Sequence, residues 1–131
     1  MARGIDNNNP GNIRLSTQPW AGEIRPSRDR SFCQFTSMAY GYRAMLKLLQ
    51  NYKTRHGCDT VRKMITRWAP PSENKTDVYI DFVAKKTGIS PDASVDVTDR
   101  DVMIRIATAI SEMENGRKAE LKDIEKGWEL L

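Results

Sequence analysis

The adjacent prolines Pro70 and Pro71 are the feature that most constrains how this chain can fold. Proline has no N–H to continue a helix and pushes the preceding residue out of the α region, so a helix must end here. The residues that follow supply three side-chain oxygens able to cap a new helix: Ser72, Asn74 and Thr76. The loop from Trp68 to Tyr79 is therefore interpreted either as a tight corner between two helices or as a rigid subsite for a sugar or peptide.

Apolar residues recur with helical spacing through most of the chain after Ser37. The four longer predicted helices span about 37–51, 60–69, 76–87 and 99–115. A short last helix carries Leu121, Ile124 and Trp128. Glycines stand just beyond three of the predicted ends, where a left-handed C-cap is common: Gly57, Gly88 and Gly116.

The first 35 residues are predicted to form a small irregular region of loops and short strands. Residues 6–12 are a run of turn formers through which no helix can pass. Short segments of strand character follow at 13–15, 23–25 and 31–35. The predicted fold class is therefore mainly α (α+β), with the irregular β region at the N-terminal end.

Length and charge limit the class of protein. A chain of 131 residues is predicted to form one domain, residues 1–131. The net charge of +4 suits an anionic partner such as a cell-wall polymer or a nucleic acid. No stretch is apolar enough to insert into a membrane, and residues 1–4 do not resemble a signal peptide. We expect synthesis in the cytoplasm, with another component carrying the protein if it acts outside.

The metal-ligating residue types are sparse. Cys33 and Cys58 are the only cysteines, so one disulfide is arithmetically possible. Without a signal peptide, two unpaired buried thiols are expected instead. One histidine, His56, and no Cys-x-x-Cys motif leave little from which to build a zinc site. No metal and no cofactor are therefore predicted.

Glu114 is the main candidate for chemistry. At about 100° per residue it lies about 20° from Met103 around the predicted helix, whereas Glu112 lies about 180° from Met103 and is predicted to point to water. Glu114 thus continues the apolar face at the C-terminal end of its helix, where burial and the helix dipole disfavour negative charge. Such a carboxyl suits a general acid for glycosidic-bond cleavage. The alternative is a glutamate at a frayed helix end, with its carboxyl in solvent.

Three motifs stand out along the chain. Residues 4–14 read GIDNNNPGNIR, residues 68–74 read WAPPSEN with Thr76 and Tyr79 following, and residues 114–116 read ENG. Together they resemble a family of phage and prophage virion-associated proteins, often described as structural proteins and in some cases as lysozyme- or transglycosylase-like. The resemblance spans nearly the whole chain and implies a virion protein, a wall-degrading enzyme, or both.

A second resemblance is to soluble lytic transglycosylases, which place a catalytic glutamate near a helix end and a later Ala-Tyr-Asn segment before a tyrosine. Here residues 114–116 are similar to the helix end, and the series Ala69, Asn74, Tyr79 is similar to the later segment. The order along the chain is reversed. A circularly permuted lysozyme-like helical domain would account for that order, since chain termini often lie close together.

The resulting hypothesis is a peptidoglycan glycosidase of lysozyme or lytic transglycosylase type, with Glu114 as general acid. A lysozyme-type mechanism needs a second carboxylate roughly 5–10 Å away, for which Glu23 and Glu73 are the candidates. Transglycosylases, by resemblance, use the acetamido group of the substrate instead. The residues predicted to bind the glycan strand are Trp68, Asn74, Tyr79, Gln34 and Asn12.

Two other functions compete with this hypothesis. One is a nucleic-acid-binding module built on four arginines and two stacking aromatics: Arg14, Arg25, Arg28, Arg30, Trp20 and Phe32. Asp29 and Glu23 interrupt that patch, so nucleic acid is the less favoured partner. The other is a virion structural or assembly protein with no chemistry, whose partners are other virion proteins. Salt-dependent DNA binding would indicate the first, and stable association only with virion proteins the second.

Overall fold

The computed structural model describes residues 3–131. Within them the chain forms six helices and one two-stranded sheet. The helices are α1 (Arg3–Asp6), α2 (Met38–His56), α3 (Val61–Trp68), α4 (Thr76–Thr87), α5 (Arg100–Asn115) and α6 (Leu121–Glu129). The strands are β1 (Glu23–Ile24) and β2 (Gln34–Phe35), which pair antiparallel. The prediction of a mainly helical chain is confirmed.

Caps define most of the helix ends. Ser37 begins α2 by accepting a hydrogen bond from the Tyr40 N–H, and Asp99 begins α5 by accepting one from the Val102 N–H. The predicted glycine caps have left-handed backbone, with φ of 66° at Gly57, 74° at Gly88 and 66° at Gly116. The second helix runs past its predicted end at residue 51, because no breaker precedes the left-handed glycine that ends it.

Helix α4 begins at Thr76, as predicted, but its capping differs from the prediction. Its N-cap residue is Lys75, and no side chain caps it. The Asn74 amide instead donates to the Pro70 carbonyl at 3.4 Å, and the Thr76 hydroxyl donates to the Ala69 carbonyl at 2.5 Å. The backbone N–H groups of Glu73 and Asn74 also donate to the Pro70 carbonyl. The loop is therefore hydrogen-bonded to the residues that directly follow α3.

The N-terminal region contains a helix, α1, that the sequence did not indicate. Shortly after α1, Asn9 is fully buried, and its side chain both donates and accepts hydrogen bonds. Its amide N donates to the carbonyls of Ile13 and Cys33, and its Oδ1 accepts from the Ile13 N–H. The predicted strand at 13–15 is reduced to a single bridge between Arg14 and Phe32. Side-chain hydrogen bonds therefore organise this region together with the short β1–β2 pair and backbone hydrogen bonds between its loops.

The core has two parts. The larger one lies among α2 to α6, with α6 lying along α2 in the most extensive helix contact. The smaller one joins the N-terminal region to α2 and consists of Ile13, Cys33, Phe35 and Ala44. Trp68 packs against both parts, so the end of α3 connects the N-terminal region to the helices.

Both cysteines are free. Cys33 is buried, and desolvation raises the pKa of its thiol to about 12. Cys58 is only partly buried, so the prediction of two buried thiols holds for one of them. Among residues 3–131 no helix is long and apolar enough to cross a membrane. The same residues hold no cluster of side chains suited to a metal ion.

Asp29 fastens the N-terminal region together, and its effect on stability should depend on pH. Its carboxylate accepts hydrogen bonds from Arg3 at 2.6 and 2.7 Å, from the backbone of Ser31 and Phe32, and from Asn7 at 3.0 Å. The Arg3 guanidinium and these N–H donors lower the pKa of the carboxyl far below its ordinary value of 3.8. A lowered pKa stabilises the fold above the ordinary value, and that contribution is lost as the pH falls toward the folded-state pKa.

We expect Asp29→Asn to lower the urea midpoint at pH 6 and to lower it by a smaller amount at pH 3, where part of the contribution of Asp29 has been lost. Asparagine cannot carry the charge, so the difference between the two proteins should shrink as wild-type Asp29 begins to be protonated in the unfolded state. Asp81→Asn is the control, since that carboxylate forms only an exposed helical pair with Lys85. An equal difference at both pH values would contradict the assigned role.

Candidate functional site

The carboxyl of Glu114 is held by two side chains at the C-terminal end of α5. Its Oε1 accepts a hydrogen bond from the Asn12 side-chain amide at 2.8 Å. Its Oε2 accepts one from the Tyr79 hydroxyl, also at 2.8 Å. The N-terminal turn, α4 and α5 thus meet at one partly buried carboxyl group.

Local backbone geometry places the two donors. Asn12 has a φ of 50°, a left-handed conformation that asparagine adopts more readily than most residues. It ends the asparagine-rich turn and points its amide at α5. Tyr79 lies in the first turn of α4, which begins where the proline loop ends, and α4 packs against α5.

The proton in the bond between Tyr79 and Glu114 belongs to Tyr79. The Tyr79 side chain is buried, and this burial, together with the charge and hydrogen bond of Glu114, raises the pKa of the phenol far above its ordinary range. The hydroxyl therefore stays protonated and donates. Glu114 accepts at both of its oxygens, and its carboxyl plane is fixed by the two bonds. To act as a general acid it would have to carry a proton of its own when the substrate is bound.

A cavity of about 150 Å³ opens beside Glu114. We call it the Glu114 cavity; its lining includes Asn12, Trp68, Glu73, Asn74 and Glu114. It shares Asn12, Trp68 and Glu73 with a neighbouring space of about 430 Å³, which we call the Trp68 groove. The indole of Trp68 packs edge-on against Tyr52, with the ring centroids 6.0 Å apart. An aromatic wall beside carboxyl and amide groups has the composition of a sugar site.

Five of the residues predicted for the glycan site line the Glu114 cavity, and Tyr79 is hydrogen-bonded to Glu114 without lining it. The five are Glu114, Glu73, Trp68, Asn74 and Asn12. Glu73 is half exposed and forms an ion pair with Arg14 at 2.8 Å. It is the acidic side chain that shares this cavity with Glu114.

Glu23 and Gln34 lie elsewhere. The carboxylate of Glu23 binds Arg25 at 2.9 Å and the Trp20 N–H at 3.0 Å, and its side chain has no exposed surface. Gln34 accepts a hydrogen bond from the Arg28 N–H at 3.1 Å. Neither residue lines the Glu114 cavity or the Trp68 groove, because both side chains are used in holding the small sheet and its loop together.

The prediction that Glu112 points to water is wrong. Its side chain is only 12% exposed and forms an ion pair with Lys86 at 2.9 Å. It also accepts a hydrogen bond from the Ala119 N–H at 3.1 Å, because the connection between α5 and α6 folds back over this face of α5. Desolvation alone would raise the pKa of Glu112, but the bonds from Lys86 and Ala119 outweigh it and the pKa is lowered.

Two features of the site were missed in the sequence. Asn115 donates to the Pro10 carbonyl and to the Ser111 carbonyl, each at 2.9 Å, and so ties the asparagine-rich turn to α5. Asn115 directly follows Glu114 in the ENG motif, and this position could have indicated that it belongs to the site. Tyr52 lines the Trp68 groove but lies beyond the predicted end of α2, so the sequence provided no helix face on which to place it.

The arginine patch considered for nucleic acid is not a free surface. Three of its members bind other side chains of the chain: Arg14 binds Glu73, Arg25 binds Glu23 and Arg28 binds Asn7. The Arg14 guanidinium also lies over the Phe32 ring, 5.4 Å from the ring centroid. It therefore covers one of the two aromatic rings proposed to stack on bases.

Comparison with known proteins gives a family. No protein-family model matches the chain. Protein P5 of Pseudoalteromonas phage PM2 is 37% identical to it over 132 residues, which cover 98% of this chain and 81% of that protein. The chain belongs to the family of Protein P5. Membership of the P5 family confirms the resemblance to phage proteins noted in the sequence motifs.

Proposed function

We propose that this member of the P5 family is a virion-associated protein, working as one domain over residues 1–131. The supporting observation is that similarity to a phage protein covers nearly the whole chain rather than a single motif. The three sequence motifs, which resemble virion-associated proteins, point the same way. In this role its partners are other virion proteins.

The test is to purify the particles of the phage or prophage that encodes the protein. After a density gradient and a high-salt wash, the protein should remain with the particles at a fixed ratio to the coat protein. Abundance in the infected-cell lysate together with absence from washed particles would reject a virion role.

A second function is supported by one observation, the hydrogen-bonded Glu114 carboxyl beside an aromatic-walled cavity. This function is cleavage of the glycan strand of peptidoglycan. Glu114 would protonate the leaving glycosidic oxygen, with Tyr79 and Asn12 positioning its carboxyl. Trp68 would pack on a sugar ring, and Asn74 would bind a polar group of the sugar.

The second carboxylate of this mechanism would be Glu73. It lines the same cavity as Glu114 and forms an ion pair with Arg14, which also lines that cavity. In a lysozyme-type reaction it would stabilise the oxocarbenium-like transition state or activate water. In a transglycosylase-type reaction the acetamido group of the substrate takes that part, and Glu73 would be dispensable.

Purified protein incubated with purified peptidoglycan should release muropeptides, and their masses identify the reaction. Reducing ends indicate hydrolysis, whereas anhydro sugars indicate transglycosylation. Release of nothing from any wall type would reject the cleavage function and leave the virion role standing.

Replacing Asn74 by alanine tests the loop itself. We expect glycan binding and cleavage to fall about tenfold, the effect of losing one well-placed hydrogen bond. The unfolding free energy should change by less than about 0.5 kcal/mol, because the exposed side chain caps nothing and makes only the 3.4 Å contact with Pro70. Thermal melts measured beside binding separate the two effects.

The matched control is Ser72→Ala, which alters the same loop at a residue that does not line the cavity. It should leave both properties unchanged. A lower melting temperature for Asn74→Ala with intact binding would make the loop purely structural.

A further inference from the structure

The Trp68 groove continues away from Glu114 into a second pocket of about 480 Å³. The two spaces share Trp20, Tyr52 and Arg67, so they form one continuous surface depression. We call the far space the distal pocket. Arg55 and His56, at the end of α2, also line the distal pocket.

The distal pocket has only positive charge. Among the described residues that line it, none is acidic, and neither Arg55 nor Arg67 forms an ion pair within residues 3–131. The Arg67 guanidinium lies 5.4 Å from the centroid of the Tyr52 ring and 3.3 Å from the His56 Nε2. Stacking on the ring holds the guanidinium while leaving donors for a ligand.

The depression therefore has unlike ends. Glu114 and Glu73 lie at one end, where Arg14 is paired with Glu73. Arg55 lies at the other end, Arg67 lines both the Trp68 groove and the distal pocket, and aromatic rings line the length between the ends. A ligand that fits along it must be neutral or polar near the carboxyl groups and anionic at the distal pocket. This pattern of charge restricts the class of polymer that can bind.

We propose that the distal pocket binds the carboxylates of the peptide stems on a peptidoglycan strand, so that the preferred ligand is stem-bearing rather than stem-free glycan. The proposal rests on the glycan function proposed for the Glu114 cavity. Neutral sugars would lie along the aromatic side chains, and a stem carboxylate would accept paired N–H groups from Arg55 or Arg67. A nucleic-acid backbone carries negative charge at every nucleotide and would be repelled at the Glu73–Glu114 end.

Binding to two defined ligands tests the proposal. Soluble glycan strands with intact stems are compared with stem-free strands of N-acetylglucosamine, which are neutral, using full-length wild-type protein and Glu114→Gln. Strands stripped by an amidase are not used, because hydrolysis of the amide leaves a lactyl carboxylate on each muramic acid. We expect the stem-bearing strands to bind about tenfold more tightly, the effect of one charge-assisted contact. The preference should weaken as salt is raised.

Arginine variants test whether the distal pocket causes the preference for stem-bearing strands. The double variant Arg55→Gln with Arg67→Gln should bind both ligands equally, and each single variant should lose part of the preference. Arg62→Gln is the matched control, since that arginine is on the same helix as Arg67 but is paired with Asp92 outside the pocket. It should keep the full preference for stems.

Equal binding of stem-bearing and stem-free strands by the wild type would overturn the proposal. Tighter binding of a single-stranded DNA oligonucleotide, lost in the double variant, would overturn it in favour of a nucleic-acid site. Stem-dependent binding without cleavage would support the distal pocket while rejecting the glycosidase. Cleavage without stem dependence would reject the pocket and keep the glycosidase.

Discussion

Replacing Glu114 by glutamine is expected to abolish muropeptide release from purified peptidoglycan, by about 10²- to 10⁴-fold, the usual contribution of general acid–base catalysis. Glutamine has nearly the same shape as glutamate. Its amide can still accept from Asn12 and bond to the Tyr79 hydroxyl, which then serves as acceptor. What it lacks is a proton that it can give to the leaving oxygen. The variant should therefore fold and bind glycan while failing to cleave it.

Glu112→Gln is the paired control on the same helix. It removes the ion pair with Lys86, which should lower the unfolding free energy by about 1 kcal/mol or less while cleavage continues. Circular dichroism and thermal melts establish that both variants fold, and mass analysis of released fragments measures cleavage. Normal cleavage by Glu114→Gln would show that Glu114 is not the catalytic carboxyl.

Replacing Gly41 by alanine is expected to destabilise the protein by about 3 kcal/mol, the upper part of the range for overpacked sites. Gly41 lies within α2, where alanine normally favours a helix by about 1 kcal/mol. Here, however, an added Cβ would overlap the Asn8 carbonyl oxygen and lie 2.6 Å from the Pro10 Cδ. Backbone and proline-ring atoms cannot move aside by rotating a side chain, so the asparagine-rich turn would have to lift off α2.

The same change should disturb the Glu114 site, because that turn carries Asn12. Urea unfolding followed by tryptophan fluorescence measures the stability. Gly57→Ala is the control: nothing lies within 4 Å of its added Cβ, and only its left-handed φ of 66° makes alanine unfavourable, by about 1 kcal/mol. A Gly41→Ala protein as stable as the Gly57→Ala protein would contradict the close seating of the turn on α2.

The sequence alone located the helices after residue 36 because their determinants are local. Apolar spacing marked the buried faces, left-handed glycines ended α2, α4 and α5, and the two prolines ended α3. It failed where several side chains compete for the same backbone groups. In the proline loop the sequence offered Thr76 and Asn74 as caps for α4. In the fold Thr76 instead binds the Ala69 carbonyl at the end of α3, and Asn74 binds the Pro70 carbonyl within the loop.

The candidate site was also predicted only in part from the sequence. Trp68, Asn74 and Glu114 were found from motifs, and the structure places all three on one cavity. Glu23 was chosen as a second carboxylate because its segment could wrap a cleft. Its side chain binds Arg25, two residues further along the chain, and does not line the cavity. Catalytic and binding roles at the cavity, like the lysozyme-like fold, remain predictions.

Tertiary structure alone decided which distant groups meet. Asn12 reaches Glu114 across 102 positions of sequence and Tyr79 reaches it across 35, through the seating of the turn on α2 and the packing of α4 on α5. Glu112 was expected in solvent because helical periodicity describes one helix, whereas the chain after α5 folds back over it. Near neighbours encode helices and caps through backbone preference. Contacts between distant residues depend on how whole elements pack, and no local pattern specifies that.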